Sequence, residues 1–372
     1  MPLQLQLRTT CFCGIAASLM TAAAPSAVSP AASAALASAA TLPSFSPDTA
    51  FLAPPRHWAL GEITSVAVDR HDNVWILHRP YTLSDADRPR AAPPILAFDR
   101  QGRFLRAFGG PAAGYEWPAT EHTLEVDAQD RVWIGGIFRK DPAKGDDMLL
   151  VFAADGRFLR QIGRRGASAG NADTANVRAP ADIHVDDRRR EVYIADGYAN
   201  NRVIVFDSES GAFKRMWGAF GNPPVDGPPP TAAELARPDG PARFDNVHGV
   251  EVSRDGLVYV SDRNNKRIQV FTRAGRFVRQ VFVHRETAAR QTSAGLALSR
   301  DPGQRYLYAA DWGNAQLLVF DRRSMALLGM LATEGSRPGQ VNGPHLIATD
   351  SEGSLYVAEV LGRRLQKFTH RR

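Results

Sequence analysis

Cysteine is nearly absent: the 372 residues hold two, Cys11 and Cys13, both within the first fourteen positions. They fall in a segment expected to be removed, which leaves a mature chain with no thiol and no disulfide framework. Long apolar runs are lacking too, since the one candidate, from Cys11 to about Ala24, is too short and Ala-rich to span a membrane. Basic runs with interleaved aromatics are missing. The formal charge of +6 comes from arginines scattered singly, such as Arg103, Arg157, Arg202 and Arg267. That distribution argues against nucleic-acid binding and for solubility or attraction of anionic substrates.

What stands at the N-terminus is one cation, Arg8, then the apolar stretch, then small residues with several A-x-A sites. This is the pattern of a secretory signal peptide, so the protein is expected to be exported to a periplasmic or extracellular space. Neither cysteine has a leucine three residues upstream, as a lipoprotein signal would. Residues 1–40 read as signal peptide and flexible leader, and residues 50–372 as a single domain.

Within that domain one unit recurs six times. Its first strand aligns as Val66-Ala67-Val68, Leu124-Glu125-Val126, Ile183-His184-Val185, Val250-Glu251-Val252, Leu296-Ala297-Leu298 and Ile347-Ala348-Thr349. An aromatic-bearing second strand follows, as in Val74-Trp75-Ile76 and Val258-Tyr259-Val260, then a third ending in Phe and a fourth such as RFLRAF or RFVRQV. Four short antiparallel strands per unit predict an all-β, six-bladed β-propeller. The sixth copy lacks a fourth strand, and the stretch around Phe51 to Leu60 is expected to supply it, because an open ring would expose sheet edges. D-x-x-N-x-R turns such as Asp262 to Arg267 resemble NHL repeats. Insertions at Tyr81 to Pro94 and Asn222 to Arg243 read as rim loops with a binding role.

Two positions before each aligned strand the six units carry Thr64, His122, Ala181, His248, Ala294 and His345. Histidine on every second blade places three imidazoles about 120° apart around the central channel. Three histidines with an open fourth position suit a catalytic zinc ion; the bland reading is three separate hydrogen-bonded histidines. His184 and the remaining histidines fall outside this register and read as structural or solvated. The turns after the second strands rise near the same mouth. There the longer blade-three turn directs Tyr198 over the channel, and Arg79 and Arg263 occupy equivalent places on blades one and four. Arginine forks suit a carboxylate ligand, and a tyrosine beside zinc and arginine can serve as a base. Alternatively these arginines pair with Asp196, Asp262 and their neighbours.

The stretches "VYIADGYANNRVIVFD", "VHGVEVSRDGLVYVSDRNNKRIQVF" and "RPGQVNGPHLIATDSEGSLYVAE" resemble the peptidyl-α-hydroxyglycine α-amidating lyases (peptidylamidoglycolate lyases), six-bladed NHL-type propellers with axial zinc. The resemblance implies zinc ligands at His122, His248 and His345, a catalytic tyrosine at Tyr198, and active-site arginines at Arg79, in "LHRP", and Arg263. It further implies a carbon–nitrogen lyase that converts a C-terminal peptidyl α-hydroxyglycine to an amide and glyoxylate, with no redox cofactor. The family's Asp after its last zinc histidine, which helps to hold calcium, is Leu346 here, so a calcium site would lack its carboxylate. Gly343 stands in place of a Met, and Ala199 marks a missing disulfide. With no monooxygenase domain before the propeller, a separate monooxygenase is expected to supply the substrate. A non-catalytic NHL propeller that binds a protein or peptide on its channel face is the second reading. A calcium-dependent lactonase is a third, and it would need Glu, Asn and Asp on the axis where this register has histidine.

Overall fold

Every repeat predicted above becomes one four-stranded antiparallel sheet, and the computed structural model, which describes residues 42–48 and 51–371, contains six of them. The innermost strands are Glu62–Val68, Glu121–Val126, Asp182–Asp186, Val247–Val252, Leu296–Leu298 and Pro344–Thr349. Each packs against the next and the sixth packs against the first, which closes a six-bladed β-propeller around a central channel. The signal peptide and leader read from residues 1–40 lie outside the described residues.

Repeat chemistry explains why the same residue types return. The Asp that ends a first strand accepts the indole N–H of the second: Trp75 to Asp69 at 3.0 Å in blade one and Trp133 to Asp127 at 2.9 Å in blade two. In blade six the Tyr356 hydroxyl reaches Asp350 at 3.1 Å. The D-x-x-N-x-R turn of blade four and its one-residue-longer counterpart in blade three are held by buried ion pairs, Asp262 with Arg267 at 2.7 Å and Asp196 with Arg202 at 2.8 Å, each Asp also accepting from an Asn side chain. Leaving either partner alone in such a place would cost about 3–5 kcal/mol, so these residues are fixed as a set. Side chains facing away from the channel meet in six apolar clusters, one between each pair of neighbouring blades.

An N-terminal strand does complete the last blade, but it is Ser44–Asp48, paired antiparallel with Arg364–Arg371. Phe51 to Leu60 is not that strand. The stretch contains Pro54 and Pro55, which lack the N–H that a ladder needs. Its backbone pairs with blade one only through isolated bridges of Ala53 to Arg103 and Ala59 to Ala91, while Phe51 is buried against Tyr356 and Trp58 packs on Phe104. Pro47 is tolerated in the true closing strand because that strand is the outer edge of its sheet. Phe45 secures the strand by packing on Tyr308 and His370.

Candidate functional site

Each of the three aligned histidines sits at a break in the pairing of its inner strand. Glu121 pairs with Gly136 and Thr123 with Gly135, so His122 is the extra residue; His248 is likewise extra between Val247 and Gly249. The register also shifts between Pro344 and Ile347, around His345. A β-bulge re-aims one side chain without disturbing the alternation beyond it. Here it turns the imidazoles to the axis while Leu124, Val250 and Ile347 keep facing the core.

All three histidines are buried, and one ring nitrogen from each lies within 4.8 Å of the other two. His122 Nδ1 donates to the Ala181 carbonyl at 2.9 Å and His345 Nδ1 to the Thr64 carbonyl at 2.6 Å. A carbonyl can only accept, so these bonds fix the tautomer and leave each Nε2 lone pair free. The Ala294 carbonyl acts on His248 from the equivalent place, although His248 Nδ1 lies outside hydrogen-bond geometry. Thr64, Ala181 and Ala294 are the small residues of the other three blades, so the ring alternates imidazole with orienting carbonyl.

Burial and then the neighbouring cationic groups hold His122 and His248 well below the usual histidine range, and His345 is lowered to about 3 by burial and then Arg263. The rings are therefore neutral, the form that ligates a metal. The fit to a cation rests on this donor set: neutral nitrogen lone pairs converge on the axis, and a single phenol proton is the donor among them. Tetrahedral zinc with bonds of about 2.0–2.1 Å asks for nitrogen separations near 3.4 Å, shorter than the 4.8 Å within which the three nitrogens lie here.

Tyr198 provides that phenol. Its hydroxyl lies 3.1 Å from His122 Nε2 and 3.1 Å from His248 Nε2, and it accepts a hydrogen bond from Arg263 Nη1 at 3.0 Å. The blade-three turn reaches this far inward because Gly197 runs against the backbone of Val247; a Cβ there would come within 2.0 Å of the Val247 carbonyl oxygen. Pairing with the turn aspartates does not account for Arg263, since Asp262 is taken by Arg267 and Asp196 by Arg202. Arg263 is 3% exposed, makes no ion pair among the described residues, and its Nε has no partner. Arg79 differs: it is paired with Glu62 at 3.0 Å and donates to the Glu121 carbonyl at 2.8 Å, though its charge still bears on His122 and His345.

Two neighbours escape the repeat alignment. Trp312, on blade five at the place Arg263 holds on blade four, packs edge-on to His345 and lies under the Arg263 guanidinium at 5.2 Å. Arg139 lies over the Tyr198 ring at 5.0 Å. Comparing the residue after each second-strand Asp would have exposed Trp312, whereas Arg139 comes from an irregular loop and leaves no such signal.

The opposite end of the channel holds a cavity of about 470 Å³ whose lining includes Glu125, Asp182, His184 and Glu251. His184 and Glu251 form an ion pair at 3.2 Å. His184 is thus a channel residue, which its reading as a strand histidine did not bring out.

Fold and site together define a six-bladed β-propeller of NHL type with three buried histidines on its axis that can hold a metal ion. The NHL repeat family model matches residues 244–271, the stretch that carries His248 and Arg263. The chain is 26% identical over 287 residues to NHL repeat-containing protein 3 of Homo sapiens, covering 74% of this chain and 72% of that protein. It is 24% identical over 352 residues to peptidyl-alpha-hydroxyglycine alpha-amidating lyase 1 of Drosophila melanogaster, covering 86% of this chain and 59% of the relative. Among solved structures, streptogramin B lyase superposes with a TM-score of 0.53 at 15% identity over 88% of this chain and 98% of that one, a likeness of fold. Relatives named as amidating lyases support a lyase role. Among the described residues no helix is long and apolar enough to cross a membrane.

Proposed function

We propose that this protein is a zinc-dependent lyase that cleaves a C-terminal peptidyl α-hydroxyglycine to a peptide amide and glyoxylate. The observation that carries this reading is Arg263, a buried guanidinium with no carboxylate partner whose Nη1 holds the Tyr198 hydroxyl beside two histidine nitrogens. An unpaired buried cation is costly, and the carboxylate of an α-hydroxyglycine is the counter-charge that offsets it.

His122, His248 and His345 are the residues that would hold zinc, which supplies Lewis acidity to the substrate hydroxyl. Arg263 binds the carboxylate, with Trp312 beneath the guanidinium fixing its plane. Arg79, half engaged by Glu62, adds positive charge on the opposite side. As the phenolate, the Tyr198 oxygen takes the hydroxyl proton; as the carbinol C–O becomes a carbonyl, the C–N bond breaks and that proton passes to the departing amide nitrogen, which returns the phenolate. Atoms and charge balance, and neither oxidant nor reductant is consumed. Leu346 is buried and offers no carboxylate, so no calcium ion enters the mechanism. In this reading the protein is exported by its signal peptide and meets peptides hydroxylated by a separate monooxygenase.

A second reading, a non-catalytic NHL propeller that binds peptide on the same face, draws on the likeness to NHL repeat-containing protein 3. Zinc analysis together with glyoxylate release from an α-hydroxyglycine peptide separates the two. The lyase reading expects about one zinc per chain and stoichiometric glyoxylate; zinc well below one equivalent, unchanged in His248→Ala, would sink it.

A further inference from the structure

Tyr198 also lines a cavity of about 250 Å³. Its floor is the turn Gly197 to Asn201, and one wall is Gly227 to Pro230, from the long insertion between blades three and four. Phe244, Asn246 and Asn264 form the facing side, and Arg139 stands at the rim. We propose that this cavity is the subsite for the residue preceding the reacting glycine, and that it selects a compact, neutral residue. The inference rests on the lyase reading of the axial site.

The position follows from what the other groups already claim. Arg263 takes the carboxylate and the histidines with Tyr198 take the hydroxyl, so the amide nitrogen is the substituent left to lead away. The cavity that shares Tyr198 with the axis receives it. Its volume lies below the roughly 300–1,000 Å³ of pockets for drug-sized ligands, which limits it to about one residue.

Selection by size requires a wall that does not yield, and this one is pinned at both ends. Before the prolines, the buried Asn171 donates from Nδ2 to Asp226 Oδ1 at 2.8 Å and to the Val225 carbonyl at 3.2 Å. After them, Thr231 and Glu234 form a capping box on the short helix Ala232–Leu235, and Arg285 donates to the Pro238 carbonyl at 3.1 Å. Between the pins, Pro228, Pro229 and Pro230 have fixed φ. The lining carries one charge of each sign, Arg139 and Asp245, so neither a cationic nor an anionic side chain meets a field of one favourable sign.

The test compares kcat/KM for acyl-X-α-hydroxyglycine substrates with X as Ala, Asn, Trp, Glu or Lys, in the wild type and in a variant carrying Pro228→Gly, Pro229→Gly and Pro230→Gly. Asp226→Ala, which frees the wall and leaves the bond from the Asn201 N–H to Asn171 Oδ1 in place, is the second variant. We expect Ala and Asn to exceed Trp by at least about tenfold in the wild type, and that ratio to fall toward one in both variants while zinc content stays unchanged. Calorimetric binding of the product amides, peptides ending in Ala-NH2 or Trp-NH2, reads the same pocket without turnover. Equal rates and affinities for Ala and Trp, or a preference that survives in both variants, would overturn the subsite. Amide binding with the expected preference but no glyoxylate from any substrate would instead overturn the lyase reading and leave the pocket standing.

Discussion

The two ends of the channel are built by the same strands and are chemically opposite. His122 and Glu125 share one inner strand and His248 and Glu251 another, each pair three residues apart, and Ala181 directly precedes the strand that carries His184. A regular strand returns to the same face every two residues, so a spacing of three marks the bulge between them. At the histidine end, burial and the charges of Arg79 and Arg263 keep the imidazoles neutral. At the other end His184 is also desolvated, yet Glu251, Glu125 and Asp182 raise it to about 9. Burial alone does not decide whether an imidazole is a ligand or a cation; the sign of the surrounding charge does.

Substitutions that separate the two ends test this contrast, beginning with the largest effect. His248→Ala should remove zinc and lower kcat/KM on the order of 10³-fold or more, whereas Glu251→Gln, three residues along the same strand, should keep both. Comparable zinc loss in the two variants would merge the ends into one site. Tyr198→Phe should lower kcat by about 10²–10⁴-fold with zinc retained, as expected for a group that moves a proton; full activity would reduce it to a turn residue. Arg263→Ala should act mainly on KM for the carboxylate-bearing substrate, by about tenfold or more. An unchanged KM would remove the carboxylate from its assigned place.

The smallest effect belongs to the acidic end and is a matter of pH. The fold raises His184 from 6.5 to about 9, so its contribution to stability is complete below about pH 6.5 and is lost as pH climbs through 9. Glu125, raised to about 8 mainly by burial, and Asp182, raised to about 7 for the same first reason, change stability in the same direction, because the folded state holds their protons more tightly. Melting temperature should therefore fall by about a few degrees between pH 6.5 and 9. Glu251→Gln should flatten that slope, since it removes the partner of His184, with Glu125, Asp182 and Arg300 still facing the ring. A slope identical to wild type would show that the pair does not titrate in this range.

Sequence alone made the blades and the axial triangle legible, because both depend on register, and six repeats supply six readings of each register position. It placed Tyr198 through the longer blade-three turn for the same reason. The bulges were invisible, since an inserted residue in an alternating strand looks like one more small or polar residue. The closing strand was misplaced because Ser44 to Asp48 is short and contains Pro47, while Phe51 to Leu60 is richer in apolar residues. The acidic end was available to the alignment that found the histidines. The middle position of each first strand reads Ala67, Glu125, His184, Glu251, Ala297 and Ala348, and the acid, histidine, acid sequence on three successive blades marks the far mouth. Arg139 was out of reach, because it belongs to no repeat, whereas the proline wall lies in the Asn222 to Arg243 insertion, whose length marked it as a rim loop without giving its place beside Tyr198.

The alternation of histidine and carbonyl around the axis carries a mechanical consequence. His122 of blade two is held by blade three, His345 of blade six by blade one, and His248 of blade four faces the carbonyl of blade five. One ion bound by the three rings would therefore act as a hub that joins all six blades through three spokes, each spanning a seam between neighbours. Chelation should loosen these three seams together, and hydrogen exchange along the inner strands should quicken around the whole ring instead of at a single blade.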